Sequence, residues 1–232
     1  MMTFSIALRC PETGHFGIAG AASSISMGAR CLFVDHDAGA VITQHRTDPR
    51  LGLSALRYLR NGLSASEALN KLVGAPGIEW RELAIVDRNG STALRQGAHQ
   101  QPIYANATGA GMVAVGNILR NDRVPAAMVA AAVEADGKTI AERLLAALEA
   151  AEEAGGEIFP LRSSAIKVAE HGGFCSVDLR VDYSPKPLRE LRRLWETYEP
   201  QKASFVERVL EPDSGGRATN SLELLASEEA AR

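Results

Sequence analysis

Aromatic side chains make up only 5% of this 232-residue chain, so its core has to be assembled from Ala, Val, Leu and Ile. Cysteine is scarcer still: Cys10, Cys31 and Cys175 are an odd number, widely spaced, with no Cys-x-x-Cys pair. Such a set supports neither a disulfide framework nor a structural zinc site. An excess of one charge sign is missing too. Twenty-five Lys and Arg against 28 Asp and Glu leave a formal −3, no footprint for a phosphate backbone, so no nucleic-acid partner is expected. The longest nearly apolar stretch, residues 124–133, contains Pro125 and is too short to span a bilayer, so no membrane partner is expected. No basic segment leads into an apolar one at the amino end, and a cytoplasmic location is the expectation. Neither GxxxxGK[ST] nor GxSxG occurs, and the five histidines (15, 36, 45, 99 and 171) show no HxxxH or HxH spacing. The expectation is therefore no metal and no other cofactor. What is there, 46% apolar and 23% charged residues, is the composition of an ordinary globular domain.

The order of elements narrows the fold. Strand patterns occur at 4–9 and 16–22, around a Pro11-Glu-Thr-Gly14 turn, and again at 31–34 and 39–44. Asp48-Pro49 opens a helix over 49–61, and the capping box Ser64-Ala-Ser-Glu67 opens another over 65–73. Strands at 82–87 and 91–95 flank Arg88-Asn89-Gly90, a hairpin signal, and a further strand follows at 112–115. Helices are expected at 125–135 and 139–154, then strands at 163–169 and 177–183. In a last helix over 187–199, Leu188, Leu191, Trp195 and Tyr198 form a stripe to be buried against the body or a second subunit, and a homodimer is the expected assembly. Strict βαβ alternation is absent, so the pattern disfavours a doubly wound sheet. It fits an α+β fold of two stacked antiparallel sheets with helix pairs outside. The expected organisation is one domain over 3–199 and a polar tail over 200–232.

Gly109-Ala-Gly111-Met-Val-Ala114 matches the dinucleotide fingerprint in letters only. Its glycines lead into a β-prone run rather than a helix, so it reads as a glycine-rich strand entry. The unusual feature is Thr3, which starts the first strand. A threonine at a chain terminus carries a hydroxyl nucleophile and its own α-amine as base. That amine titrates near ~7.7–8.0, so it needs no neighbour to supply a neutral fraction. If 4–9 and 16–22 form a hairpin, Thr3 lies opposite Ala22 or Ser23, with Ser23, Ser24 and Ser26 close to the amine. The plainer alternative is that Thr3 only begins a strand.

At this point the residues carry a resemblance. Thr3-Phe-Ser-Ile6 with Gly14-x-x-Gly17, Gly39-Ala-Val-Ile-Thr-Gln44, Asp48-Pro-Arg-Leu-Gly52, Leu83-Ala-Ile-Val-Asp87, Gly116-Asn-Ile-Leu119, Ala154-Gly-Gly-Glu157 and Leu179-Arg-Val-Asp182 resemble domain-of-unknown-function family 1028 over about residues 3–200. That family is placed with the N-terminal nucleophile (Ntn) hydrolases. The resemblance implies a four-layer αββα sandwich and amide-bond hydrolysis, here with Thr3 as nucleophile and a small molecule as substrate. The Asp–Lys pair that tunes proteasome threonines has no counterpart in Ala22-Ser23 or Arg30-Cys31-Leu32-Phe33, and Glu157 stands where family members commonly carry Asp.

Around Thr3, the candidate catalytic residues are Asn117, Ser23 and Ser163. Asn117, together with an amide of Gly109 or Gly111, would form the oxyanion site. Ser163 and Ser164 face opposite sides of a strand, so at most one reaches the amine. Arg30 and Arg162 are candidates to hold a substrate carboxylate, and Gln44 is a further substrate-binding candidate. Met2 is the expected translation start and its removal the route to a free Thr3, with self-cleavage at Met2–Thr3 as the alternative. A catalytically silent scaffold that binds a metabolite or a protein stays open beside the enzyme.

Overall fold

The alternation of Thr3-Phe-Ser-Ile-Ala-Leu-Arg9 builds the central strand of the molecule. The structure, a computed structural model, describes residues 2–213. β1 (Thr3–Arg9) and β2 (Phe16–Ala22) form the predicted hairpin, with Thr3 opposite Ala22 and Arg9 opposite Phe16. A single helical turn, α1 (Gly28–Cys31), leads into β3 (Leu32–Asp35) and β4 (Gly39–His45). α2 (Pro49–Arg60) and α3 (Ala65–Leu72) follow, then β5 (Arg81–Asp87), β6 (Thr92–Gln96), β7 (Tyr104–Gly109) and β8 (Met112–Asn117). α4 (Val124–Glu134) and α5 (Ile140–Glu153) precede β9 (Ser163–Ala169), β10 (Val177–Val181) and α6 (Pro187–Leu210).

The strands make a six-stranded sheet, β10-β9-β2-β1-β8-β7, and a four-stranded sheet, β3-β4-β5-β6, with antiparallel pairing throughout. Their inner faces meet through β1 and β2 on β4, and β8 on β5, while α4 and α5 cover the larger sheet and α2 and α3 the smaller. This is a four-layer αββα arrangement, as expected. Residues of opposite parity along β1 go to different layers. Ala7 joins Ile18, Ile42, Ala84, Val113 and Val115 in the core between the sheets, and Ser5 reaches Gln44 across it. A second core packs Leu51, Ala55, Leu59, Leu69 and Leu72 against Val41, Leu83 and Ile85.

Helix starts follow the capping signals. The Asp48 carboxylate accepts from the Arg50 N–H with Pro49 in the first turn, Ser64 and Glu67 form both halves of a capping box, and Thr139 accepts from the Glu142 N–H. Gly39 is required where it stands: its φ is +151°, and a Cβ there would lie 2.2 Å from the Val86 carbonyl oxygen and 3.0 Å from Leu59 Cδ1. Gly39→Ala is therefore expected to destabilise the protein by about 1–3 kcal/mol, read as a lower urea midpoint. An unchanged midpoint would contradict this packing.

Three features depart from the sequence reading. β7 is an additional strand, at the edge of the larger sheet, and α1 an additional turn. The last helix does not end at 199 but continues through Pro200 to Leu210. Pro200 removes one helical N–H, and the Gln201 side-chain amide donates to the Thr197 carbonyl at 3.0 Å in the same turn. The chain divides into two units, residues 1–194 and 195–232. In the first, Leu188 and Leu191 are buried as expected. In the second, Trp195 is buried, whereas Tyr198 is partly exposed and its ring lies 5.5 Å from that of Phe205. The remainder of the expected tail, 214–232, lies outside the described residues.

Candidate active site

Thr3 stands at the head of β1 between two neighbours, Ala22 on β2 and Asn117 on β8. Its parity with Ser5 turns its side chain into the space between the sheets, where it is fully buried. Thr3 Oγ1 has no hydrogen-bond partner among the described residues, and neither does Asn117 Oδ1 on the adjacent strand. Two orphaned polar atoms on paired residues are costly, because each forfeits its hydration without compensation. The expected approach of Asn117 to Thr3 is present in the register.

Below them lies a carboxylate that the sequence reading did not single out. Glu82, at the start of β5, is fully buried. Its Oε2 accepts from Asn117 Nδ2 at 2.7 Å and from Gln44 Nε2, and its Oε1 from Gln96 Nε2 at 2.6 Å. Burial pushes its carboxyl above the usual range, while the donors from Gln96, Asn117 and Gln44 pull in the opposite direction. Gln44 also donates to the Thr3 carbonyl at 3.3 Å and accepts from Ser5 Oγ at 2.8 Å. The side chain expected to bind substrate is thus a strut between the sheets that fixes the Thr3 backbone. Backbone strain gathers at the same end. Ile118, directly after Asn117, and His45, directly after Gln44, have φ of +55° and +64°, conformations that a β-branched or bulky residue adopts only when its surroundings impose them.

A second buried carboxylate, Glu157, accepts from the Ser23 N–H at 3.1 and 3.3 Å, and burial pushes it up to about 8. It lines a cavity of about 180 Å³ with Arg120, Glu152, Gly155, Gly156, Phe159, Pro160 and Leu161. Ser23 itself is half-buried at this end of the sheet.

Other expected site residues lie elsewhere or are committed. Gly109 and Gly111 do not approach Thr3. They flank the tight β7–β8 turn at the opposite end, where the Gly111 carbonyl accepts from the Arg9 N–H at 2.8 Å. Since Leu8 pairs with Met112 and Thr3 with Asn117, about 17 Å of strand separates them from the threonine, and they supply no oxyanion donor. Their role as a glycine-rich strand entry holds. Ser163 pairs with Ala22 and so sits two strands from Thr3; its hydroxyl donates to the Ser24 carbonyl at 2.6 Å and accepts from the Met27 N–H at 3.1 Å. It is a loop anchor, not a partner of the amine. The Arg30 guanidinium is spent on the same loop, donating to the Ile25 and Ser26 carbonyls and to Ser24 Oγ. Arg162 places its guanidinium 6.0 Å from the Tyr183 ring centre, and its backbone N–H donates to the Ala22 carbonyl. Among the described residues no group of three or more His, Cys, Asp or Glu could hold a metal ion, and no helix is long and apolar enough to cross a membrane.

Comparison with known proteins adds the following. A crystal structure of a protein from Silicibacter pomeroyi, itself assigned to DUF1028, is 35% identical, with a TM-score of 0.81 over 88% of this chain and 90% of that one. Anbu, the ancestral beta-subunit from Yersinia bercovieri, gives 10% identity and a TM-score of 0.37 over 88% of this chain and 97% of that one. None of the curated proteins matches. The family of unknown function DUF1028 matches residues 3–191, and the chain belongs to that family.

Proposed function

We propose that the chain is an Ntn-type hydrolase that cleaves an amide bond of a small cytoplasmic metabolite, with Thr3 as the N-terminal nucleophile. The observation that carries this reading is the buried, unpartnered Thr3 Oγ1 beside Asn117. With Met2 gone, the Thr3 α-amine takes the proton of Oγ1 as that oxygen bonds to the substrate carbonyl carbon. Asn117 Nδ2 has one N–H on Glu82 and a second left to donate to the developing oxyanion. Collapse of the tetrahedral species breaks the C–N bond, and the leaving amine takes the proton from the α-ammonium. Water then hydrolyses the threonyl ester. A homodimer is the proposed assembly; the small and apolar residues Ala126, Ala130 and Val133 exposed along α4 support it.

The test combines the intact mass of the purified protein with a panel of N-acyl amino acids and small amides. The expected mass is that of a chain beginning at Thr3, and the expected activity is release of a free amine. A chain that retains Met2 and releases nothing would support the silent scaffold instead.

A further inference from the structure

We infer that Glu157 is the residue that receives the freed α-amine of Thr3, its carboxylate holding the ammonium and so positioning Oγ1. The inference rests on the reading of Thr3 as an N-terminal nucleophile and adds a residue to it. It comes from how the larger sheet is completed beyond the head of β1. Both neighbours of β1 run on past Thr3, β8 into Ile118-Leu119-Arg120 and β2 into Ser23. The strip between them, where a longer β1 would continue, is filled by Gly156–Ile158. The Arg120 N–H donates to the Gly156 carbonyl at 3.0 Å, the Ile158 N–H to the Ile118 carbonyl at 3.2 Å, and Leu119 and Glu157 form an antiparallel bridge. A Cβ on Gly156 would touch Phe4 Cε1 at 3.6 Å, so the segment abuts β1 itself.

Glu157 thus spans the strip, its backbone on the β8 side and its carboxylate on the Ser23 N–H of the β2 side. Ser23 is one residue beyond Ala22, the partner of Thr3, so the carboxylate sits roughly one residue rise, ~3.4 Å, ahead of Thr3 along the sheet. That is where a terminal amine on Thr3 would be. Glu157 is 3% exposed, and among the described residues no Lys or Arg pairs with it. The charged side chains that share its cavity wall are Arg120 and Glu152. A buried carboxylate with a single N–H donor lacks a cation, and the Thr3 ammonium is one. Ion pairing would lower the carboxyl from its elevated value and raise the amine.

The pairing is tested without any substrate. The chain is released from a cleavable amino-terminal fusion so that it starts at Thr3, and a second preparation keeps Met2. Glu157 is titrated in both by carbon-13 NMR of labelled glutamate, assigned with Glu157→Gln. The expected result is at least a 100-fold shift in its proton affinity, downward in the Thr3-starting chain. The Thr3 amine, followed by nitrogen-15, is expected to lose at least 10-fold in proton affinity in Glu157→Gln and to recover part of it in Glu157→Asp. Titration of Glu157 at the same pH in both preparations would overturn the proposal, and since it compares two wild-type chains, poor folding of a variant cannot mask that outcome. Activity loss in Thr3→Ala together with unchanged Glu157 titration would leave the nucleophile standing and remove the pairing. The reverse result would retain the pairing and remove the nucleophile.

Discussion

Thr3→Ala is expected to lower amide hydrolysis by at least about 10⁴-fold while leaving the protein folded and close to its original stability. The two halves of this result come from the same observation. Thr3 Oγ1 is buried with no partner, so removing it deletes no native hydrogen bond and relieves a desolvation cost of about 1–3 kcal/mol. Loss of the Thr3 methyl and of a β-branched residue from a strand costs on the order of 1–2 kcal/mol, which nearly offsets that gain. A structural threonine would behave in the opposite way, losing stability without a change in chemistry. Thr3→Ser keeps the hydroxyl and the amine and is expected to retain measurable activity. Rates on the responsive amide, circular dichroism and urea midpoints on wild type and both variants make the comparison. Full activity in folded Thr3→Ala would end the hydrolase reading.

The second large effect is on stability and concerns the chain that retains Met2. Its unfolding free energy is expected to fall as pH rises from about 5 to about 8, by about 3–4 kcal/mol. In the unfolded chain Glu157 ionises at the ordinary value of 4.5, whereas burial keeps it protonated in the folded protein up to about 8. Between those two values only the unfolded state has released the proton. The unfolded state then binds fewer protons, and stability declines with pH. Glu82, also raised by burial, acts in the same direction. Asp48, Glu67 and Glu79 are held below their ordinary values, so their contribution is lost only on further acidification, below this window. Glu157→Gln is expected to flatten the profile in urea titrations at pH 5, 6.5 and 8. A wild-type profile that is already flat would contradict the burial of an unpaired carboxyl.

Local chemistry made most of the fold legible. Asp48-Pro49, Ser64 with Glu67, and Thr139 with Glu142 announce helices because capping is settled within four residues. β1 and β2 are legible because each alternates around a turn, and the hairpin brought Thr3 to Ala22 without any long-range information. β7 was hidden for a physical reason: as an edge strand its residues alternate between exposed and half-buried, so Tyr104-Ala-Asn-Ala-Thr-Gly109 carries no apolar face.

The candidate site was legible at Thr3, Asn117, Gln44 and Ser23, although Gln44 turned out to be a strut. Glu82 at a strand start reads as a polar flank, and its burial depends on Gln44, Gln96 and Asn117 arriving from three other strands. Glu157 reads as a departure from a family pattern, and nothing in its neighbours foretells that it fills a gap in a sheet. Gly109 and Gly111 were misplaced because a strand of known sequence still has two ends, and only its pairing says which end meets Thr3.

The filled strip ahead of β1 has a consequence for the timing of maturation. Since Gly156–Ile158 occupy the place beside Ile118 and Leu119, whatever precedes Thr3 cannot continue as a paired strand and has to leave the sheet. Met2, outside any strand and partly exposed, is the first residue on that departing path. On the proposed reading of Thr3, completion of the scaffold and release of its amine are then separate events.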